Sequence, residues 1–360
     1  MQQAALDPRR TFGRFTVLAE LGRGGMGVVY KAWDRSLARF VALKLLPADA
    51  DASAVGRFRR EALAVARVRH SAIVAVHDAG VANGRPYLAM DYIDGKPLDK
   101  RLKSEPRLSL ARGVEIVRDV ARALQHAHEQ GIVHRDLKPQ NVMVDAKDRP
   151  YVLDFGLAVI RGSSSGLTRT GSVLGTPSYM PPEQVDTGGE VDARTDVYAL
   201  GATLYHVIAG RPPFLGNSDV NVITAVLTKD PEPASRFNRR AEGDLDTITA
   251  KCLEKVPERR YGSAADLAAE LDRYLAGEPI VARPIGLAAR AARKIRRNPG
   301  SSAAVSFALV AALAALGWPR LRAELEARRH AASLARARDA AQGRAARLAA
   351  SVRAKLDSSE

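Results

Sequence analysis

The sequence predicts an α+β chain of two lobes, a small β-rich lobe carrying one helix and a larger α-helical lobe after it. From Phe12 to about Tyr92, β-rich runs such as Phe15-Thr16-Val17-Leu18 and Phe40-Val41-Ala42-Leu43 alternate with glycine turns. One helical stretch over 56–68 interrupts them. From about Pro97 the pattern turns helical. Over 110–129, Val114, Val117, Val120, Ala121 and Leu124 recur at spacings of three and four, which puts them on one helix face. The same period runs through Leu267, Leu271 and Leu275 and breaks at Gly277-Glu278-Pro279, which ends the folded domain near 276.

Composition agrees with a folded, compact protein. In 360 residues, 46% are hydrophobic and 26% charged, which excludes a wholly disordered chain. The single cysteine, Cys252, cannot form an internal disulfide, and its place in Ala250-Lys251-Cys252-Leu253 reads as an apolar helix face with a buried, inert thiol. The net charge of +15 is uneven: residues 290–360 hold 15 Lys/Arg against 5 Asp/Glu, and the rest of the chain carries only +5. That distribution argues against nucleic-acid binding by the main domain. No apolar run over Met1–Phe15 reads as a signal peptide.

Beyond the domain, 277–298 reads as a basic linker and 320–360 as an Ala/Arg-rich helical tail. Between them, 299–319 reads as a single membrane-spanning helix: Asn298 to Pro319 has no charged residue, and an 18-residue helix covers about 27 Å, close to a bilayer's hydrocarbon thickness. The alternative is a soluble, partly buried helix. Arg290, Arg293, Lys294, Arg296 and Arg297 crowd the entry side, while Arg320, Arg322, Arg328 and Arg329 follow, so charge alone does not set orientation.

Leu21-Gly22-Arg23-Gly24-Gly25-Met26-Gly27-Val28-Val29 has the Gly-x-Gly-x-x-Gly spacing that lets a backbone approach phosphates. On its own this fits a dinucleotide-binding turn or a plain turn as well. Gly27, however, runs into β-branched Val28-Val29-Tyr30, which favours a hairpin over a helix start. Lys44 ends the apolar run Val41-Ala42-Leu43 and is either a solvated strand-end lysine or a cation for phosphates. Glu61, the only acidic residue between Asp51 and Asp78, is either the carboxylate that holds it or a surface charge on a helix rich in arginine.

The stretch Gly131-Ile132-Val133-His134-Arg135-Asp136-Leu137-Lys138-Pro139-Gln140-Asn141-Val142-Met143-Val144, with Asp154-Phe155-Gly156 after it, resembles the bacterial, eukaryotic-like serine/threonine protein kinases. The resemblance covers about 12–276, with a small lobe over about 12–92 and a larger one over about 97–276, and implies the two-lobed protein kinase fold. It implies transfer of the ATP γ-phosphoryl group to Ser/Thr hydroxyls of proteins in signal transduction, with Mg2+, or Mn2+ in its place, as the metal ion. Asp136 is then the catalytic base, Lys138 a contact to the γ-phosphate, and Lys44 with Glu61 the phosphate clamp. Asn141 and Asp154 are the metal ligands. Residues 21–29 cover the nucleotide, with Ala42 and Val29 above the adenine, Met143 below it, Met90 as gatekeeper, and backbone groups of Asp91 and Ile93 on its edge.

The same resemblance makes Arg135, Thr168 and Thr170 regulatory: a phosphate on the segment after Asp154 would pair with the guanidinium. Glu183 is expected to pair with Arg260, and Asp196 to support the loop that carries Asp136. Pro181 stands where the family pattern has alanine. The expected setting is the cytoplasmic membrane of a bacterium with the kinase domain in the cytoplasm, or else the cytoplasm itself. The partners are protein substrates and, for autophosphorylation in trans, a second copy of the chain. A scaffold with a degenerate site and a small-molecule kinase are the rivals. The intact Lys44, Asp136, Asn141 and Asp154 speak against the first, and Lys138 with the segment through Glu183 against the second.

Overall fold

The computed structural model describes residues 11–24, 27–47, 62, 66–155, 177–185, 191–241 and 243–282. Six antiparallel strands form the first sheet: β1 (Thr11–Phe12), β2 (Phe15–Gly24), β3 (Gly27–Asp34), β4 (Arg39–Leu45), β5 (Val76–Ala82) and β6 (Arg85–Asp91). Their order is β1-β2-β3-β4-β6-β5. Alternation along β4 and β6 divides their side chains between two faces. Val41, Leu43, Leu45 and Ala89 pack with Phe12, Phe15 and Ala32, while Ala42, Leu88 and Met90 pack with Leu46, Ala62 and Val74. Of the helix expected over 56–68 only Ala62 and 66–68 are described, where the Ala66 N–H bonds the Ala62 carbonyl at 2.9 Å.

The second lobe opens with β7 (Gly95–Pro97), α1 (Leu98–Arg101) and α2 (Leu110–His128), followed by β8 (Val142–Asp145) and β9 (Pro150–Val152). These three strands make a second small sheet in the order β7-β8-β9. Then come α3 (Pro182–Val185), α4 (Ala193–Ala209), α5 (Asp219–Thr228), α6 (Asp244–Cys252) and α7 (Ala264–Ala276). Helix α4 is apolar nearly all round and buried along most of its length, the expected pattern for a central helix, and it packs against α2, α6 and α7. Helix starts follow the capping rule: Ser109, Asp192 and Ser263 each accept a backbone N–H from the first turn. Gly277 ends α7 at φ 71°.

Residues 150–155 join the lobes. On the small-lobe side Val152 donates to the Ala72 carbonyl at 2.8 Å and accepts from Val74 N–H at 3.1 Å. On the other side it belongs to the second sheet through Val142. Among the described residues no helix is long and apolar enough to cross a membrane, and the span expected over 299–319 lies outside them.

Helices α4 and α6 approach so closely that a Cβ added at Gly201 would lie 2.2 Å from Cys252 Cβ. Burial pushes the Cys252 thiol well above its ordinary value, which leaves it inert, as its helix-face position implied. Gly201→Val should therefore cost about 1–3 kcal/mol, read as a lower urea midpoint with an unchanged slope. An unaltered midpoint would mean that the two helices are not in contact.

Candidate active site

Lys44 lies on β4 opposite Val29 of β3, on the face that carries Ala42 and Met90, and is 4% exposed. A buried ammonium needs a counter-charge, and its Nζ donates to Asp154 Oδ1 at 2.8 Å. Burial alone would push the Asp154 carboxyl up. The charge and hydrogen bond of Lys44, with a smaller contribution from Lys138, outweigh it and hold the carboxyl below its ordinary value. Glu61, expected beside Lys44, lies outside the described residues.

Asp136, Lys138 and Asn141 form the facing half. Lys138 Nζ bonds both carboxylate oxygens of Asp136, at 3.0 and 2.8 Å. Asn141 Nδ2 donates to the Asp136 carbonyl at 2.7 Å and to its Oδ2 at 3.1 Å. Both partners are acceptors, so the amide orientation is unambiguous, and among the described residues Oδ1 is left as its free acceptor. The Asn141 carbonyl in turn accepts from Leu153 N–H at 2.8 Å, which ties this loop to the residue before Asp154.

His134, completely buried, completes the link. Its Nε2 faces the Leu153 carbonyl at 2.8 Å and its Nδ1 faces Asp136 N–H at 3.2 Å. A carbonyl can only accept and an N–H can only donate, so the ring is the neutral tautomer protonated at Nε2. Below it, the fully buried carboxylate of Asp196, in the first turn of α4, accepts from His134 N–H at 2.7 Å and Arg135 N–H at 2.9 Å. It also bonds His128 Nε2 at 2.8 Å. These bonds hold Arg135 at φ 67°, and Asp154 stands at φ 55°, a left-handed conformation that side chains other than glycine seldom adopt.

The glycine-rich residues form the β2–β3 hairpin, whose register closes on Gly24 opposite Gly27, with Gly22 opposite Val29 and Arg23 opposite Val28. Leu21, Gly22, Arg23 and Gly24 are exposed and Val28 is buried, while Gly25 and Met26 lie outside the described residues. Gly27, at φ 121°, passes the Leu45 carbonyl so closely that a Cβ would sit 2.0 Å from its oxygen. Ala42 and Met90 pack together with Val29 and Ile93 at their edge, and Met143 pairs with Tyr151 in the second sheet. Asp91 N–H is committed to the Ala75 carbonyl at 3.0 Å, which leaves the Asp91 carbonyl as its backbone group toward a ligand.

Residues 177–185 are bolted to the lobe below. Arg260, whose side chain is fully buried, uses all five N–H donors: a bidentate pair to Glu183 at 2.6 and 2.7 Å, and single bonds to the carbonyls of Glu254, Arg194 and Lys255. Gln184 Nε2 donates to the Arg135 carbonyl at 2.8 Å. Burial pushes the Tyr179 phenol well up, with Asp99 adding to it, and pushes His206 down, so a neutral phenol donates to His206 Nδ1. Among the described residues the Arg135 guanidinium has no ion-pair partner, and Thr168 and Thr170 lie outside them.

Among the described residues there is no group of three or more His, Cys, Asp or Glu side chains fit for a metal ion. The oxygens of Asp154 and Asn141 Oδ1 suit a hard cation such as Mg2+, which takes few protein ligands and keeps the oxygens of water and phosphate.

The protein kinase domain family matches residues 15–271. The chain belongs to this family. This kinase domain is 43% identical over 279 residues to serine/threonine-protein kinase PknB of Mycobacterium tuberculosis, covering 76% of the chain and 44% of that protein. PknB of Mycobacterium leprae is 43% identical over 265 residues, 72% of the chain and 42% of the relative. PknD of Mycobacterium tuberculosis is 42% identical over 271 residues, 74% and 40% respectively. The chain thus spans less than half the length of these relatives. The crystal structure of Rad53 residues 1–466 with AMP-PNP shares the fold, with a TM-score of 0.60 and 22% identity over 72% of this chain and 66% of that one.

Sequence reasoning missed the direct Lys44–Asp154 pair, the two-sided role of His134, and His128, Gln184 and His206. Apart from the His134 bond to Asp136 N–H, two residues on, each is a contact between segments far apart in the chain and carries no local pattern. In the kinase domain, Arg260→Ala should cost about 3–5 kcal/mol in urea unfolding, because it strands the buried Glu183 carboxylate. Asp154 gives a pH test. A carboxyl held below its ordinary value contributes stability that is present above the unfolded value of about 3.9 and is lost as pH falls through the lower folded value. The stability gap between the wild type and Asp154→Asn should therefore be constant near neutrality and close below about pH 4.

Proposed function

We propose that the chain is an ATP-dependent serine/threonine protein kinase acting in signal transduction. The observation that carries this is the meeting of Lys44–Asp154 with Asp136–Lys138–Asn141 across one strand of backbone, residues 152–154. Lys44 holds the phosphates of ATP, with Glu61 as its second partner. The Gly22–Val29 hairpin covers them, and Ala42, Val29 and Met143 enclose the adenine between Met90 and the backbone of Asp91 and Ile93. Mg2+, held by Asp154 and Asn141, supplies charge neutralisation at the phosphates when bound. Asp136 accepts a hydrogen bond from the substrate hydroxyl, aims it in line with the γ-phosphorus and takes its proton, while Lys138 neutralises charge on the transferred group. Asp196, Glu183 and Arg260 keep this loop and residues 177–185 in place.

Arg135 adds regulation. Its backbone is fixed and its guanidinium is unpaired among the described residues, ready for a phosphate on Thr168 or Thr170. Autophosphorylation between two copies would supply it. The segment 299–319 anchors the chain in the cytoplasmic membrane, with the kinase domain in the cytoplasm.

Asp136→Asn and Lys44→Ala should each lower transfer of labelled phosphate from ATP to a generic protein substrate by at least about a hundredfold, with circular dichroism unchanged. Removal of divalent metal with EDTA should do the same and be reversed by Mg2+. Full transfer by both variants would contradict the assignment. Labelling of sugars or aminoglycosides in place of protein would move the chain to small-molecule substrates.

A further inference from the structure

The face of the first sheet that carries Val29, Ala42 and Met90 continues past them. Period two puts Lys31 next after Val29 on β3 and Phe40 next before Ala42 on β4, and the register sets Lys31 opposite Ala42 and Ala42 opposite Met90. Two residues beyond Met90 is Tyr92, the middle of the three residues whose outer two present backbone to the adenine. At this rim the Lys31 ammonium stands 4.1 Å from the Tyr92 ring centroid and 4.8 Å from that of Phe40. Phe40 also meets Trp33, edge to face at 4.9 Å. Among the described residues Lys31 has no carboxylate partner, and the Tyr92 hydroxyl reaches only Asp94, at 3.5 Å. The Phe40 and Tyr92 rings also meet each other, tilted, at 6.4 Å, and the Lys31 cation over both is the charged contact on the Tyr92 ring.

We propose that Lys31 is a positioning residue for ATP. Its ammonium ties Tyr92 to the β3–β4 ceiling, and so sets the distance between that ceiling and the backbone of Asp91 and Ile93 that meets the adenine edge. This rests on the ATP reading above. Lys31 touches no part of the nucleotide. It acts through the adenine end of the pocket and leaves the phosphate end, held by Lys44, unaltered.

The test uses the full chain. Lys31→Met keeps the aliphatic stem and removes the charge, and Lys31→Arg keeps a cation that stacks on aromatic rings. Lys31→Met should weaken binding of ATP and of adenosine by the same factor, about two- to fivefold, and raise KM for ATP to match with kcat within twofold. Lys31→Arg should restore both. In a Tyr92→Leu background, Lys31→Met should have no further effect, because the ring through which it acts is gone. Loss of ATP affinity without loss of adenosine affinity would overturn the proposal, since it would mark plain charge attraction to phosphates. Failure of Lys31→Arg to rescue, or an undiminished effect in the Tyr92→Leu background, would overturn it as well. Wild type that binds ATP alongside an unaffected Lys31→Met sinks the clasp alone, whereas wild type that binds neither nucleotide nor nucleoside sinks the ATP reading with it.

Discussion

A carboxylate buried to zero exposure must be repaid by its partners, and Asp196 is the group on which the rest of the site depends. It takes two consecutive backbone N–H groups, those of His134 and Arg135, and a third donor from His128 on α2. The left-handed Arg135 follows the second of these N–H groups and bends the chain there. The bend fixes where the chain goes next, to Asp136. Asp196 itself cannot shift, because it belongs to the first turn of α4, the buried central helix of the lobe. The position of Asp136 is in this way inherited from the core and not from the loop that carries it.

The second half of the site reaches the first through backbone. Val152 is hydrogen-bonded to 72–74 in the small lobe, and one residue later Leu153 is bonded by both its N–H and its carbonyl to the Asp136 loop. Asp154 follows immediately, so its carboxylate is placed relative to both lobes at once. Lys44 then crosses from β4 to meet it. The neutral His134 makes this junction rigid, for its two ring nitrogens are used in opposite senses, one toward Asp136 and one toward Leu153. The strain at Asp154 is tolerable because bonds on either side determine the path.

Much of this was legible in the sequence where function sits in contiguous words. The stretch 131–144, the Asp154 triplet and the glycine spacing name the site residues, because the chemistry needs given side chains at short separations. The period-two strands and the period of α2 and α7 likewise gave the lobes, since burial acts residue by residue along an element. What stayed hidden is what packing decides. Nothing near His128 says that it will face an aspartate 68 positions on. Gly27 reads as a glycine that lets backbone approach phosphates, whereas its close approach to the Leu45 carbonyl is what excludes a side chain there. Lys31 belongs to no motif of the sequence, and only the sheet register sets it between two aromatic rings. Glu61, Thr168, Thr170 and the 299–319 segment lie outside the described residues, so for them the sequence stands by itself.

The wiring of the large lobe also explains why Glu183, though away from Asp136, belongs with it. Arg260 satisfies all its donors on Glu183 and three carbonyls, so the pair has one geometry and no freedom to slide. Gln184, the next residue, spends its amide on the Arg135 carbonyl. Arg135 is therefore held at its N–H by Asp196 and at its carbonyl by Gln184, and the peptide between those two grips leads directly into Asp136. A change in the path of 177–185 must pull on that carbonyl, and through a single peptide link on the Asp136 backbone. Residues 177–185 and Asp136 are in this sense one mechanical unit, with Arg260 as its fixed end.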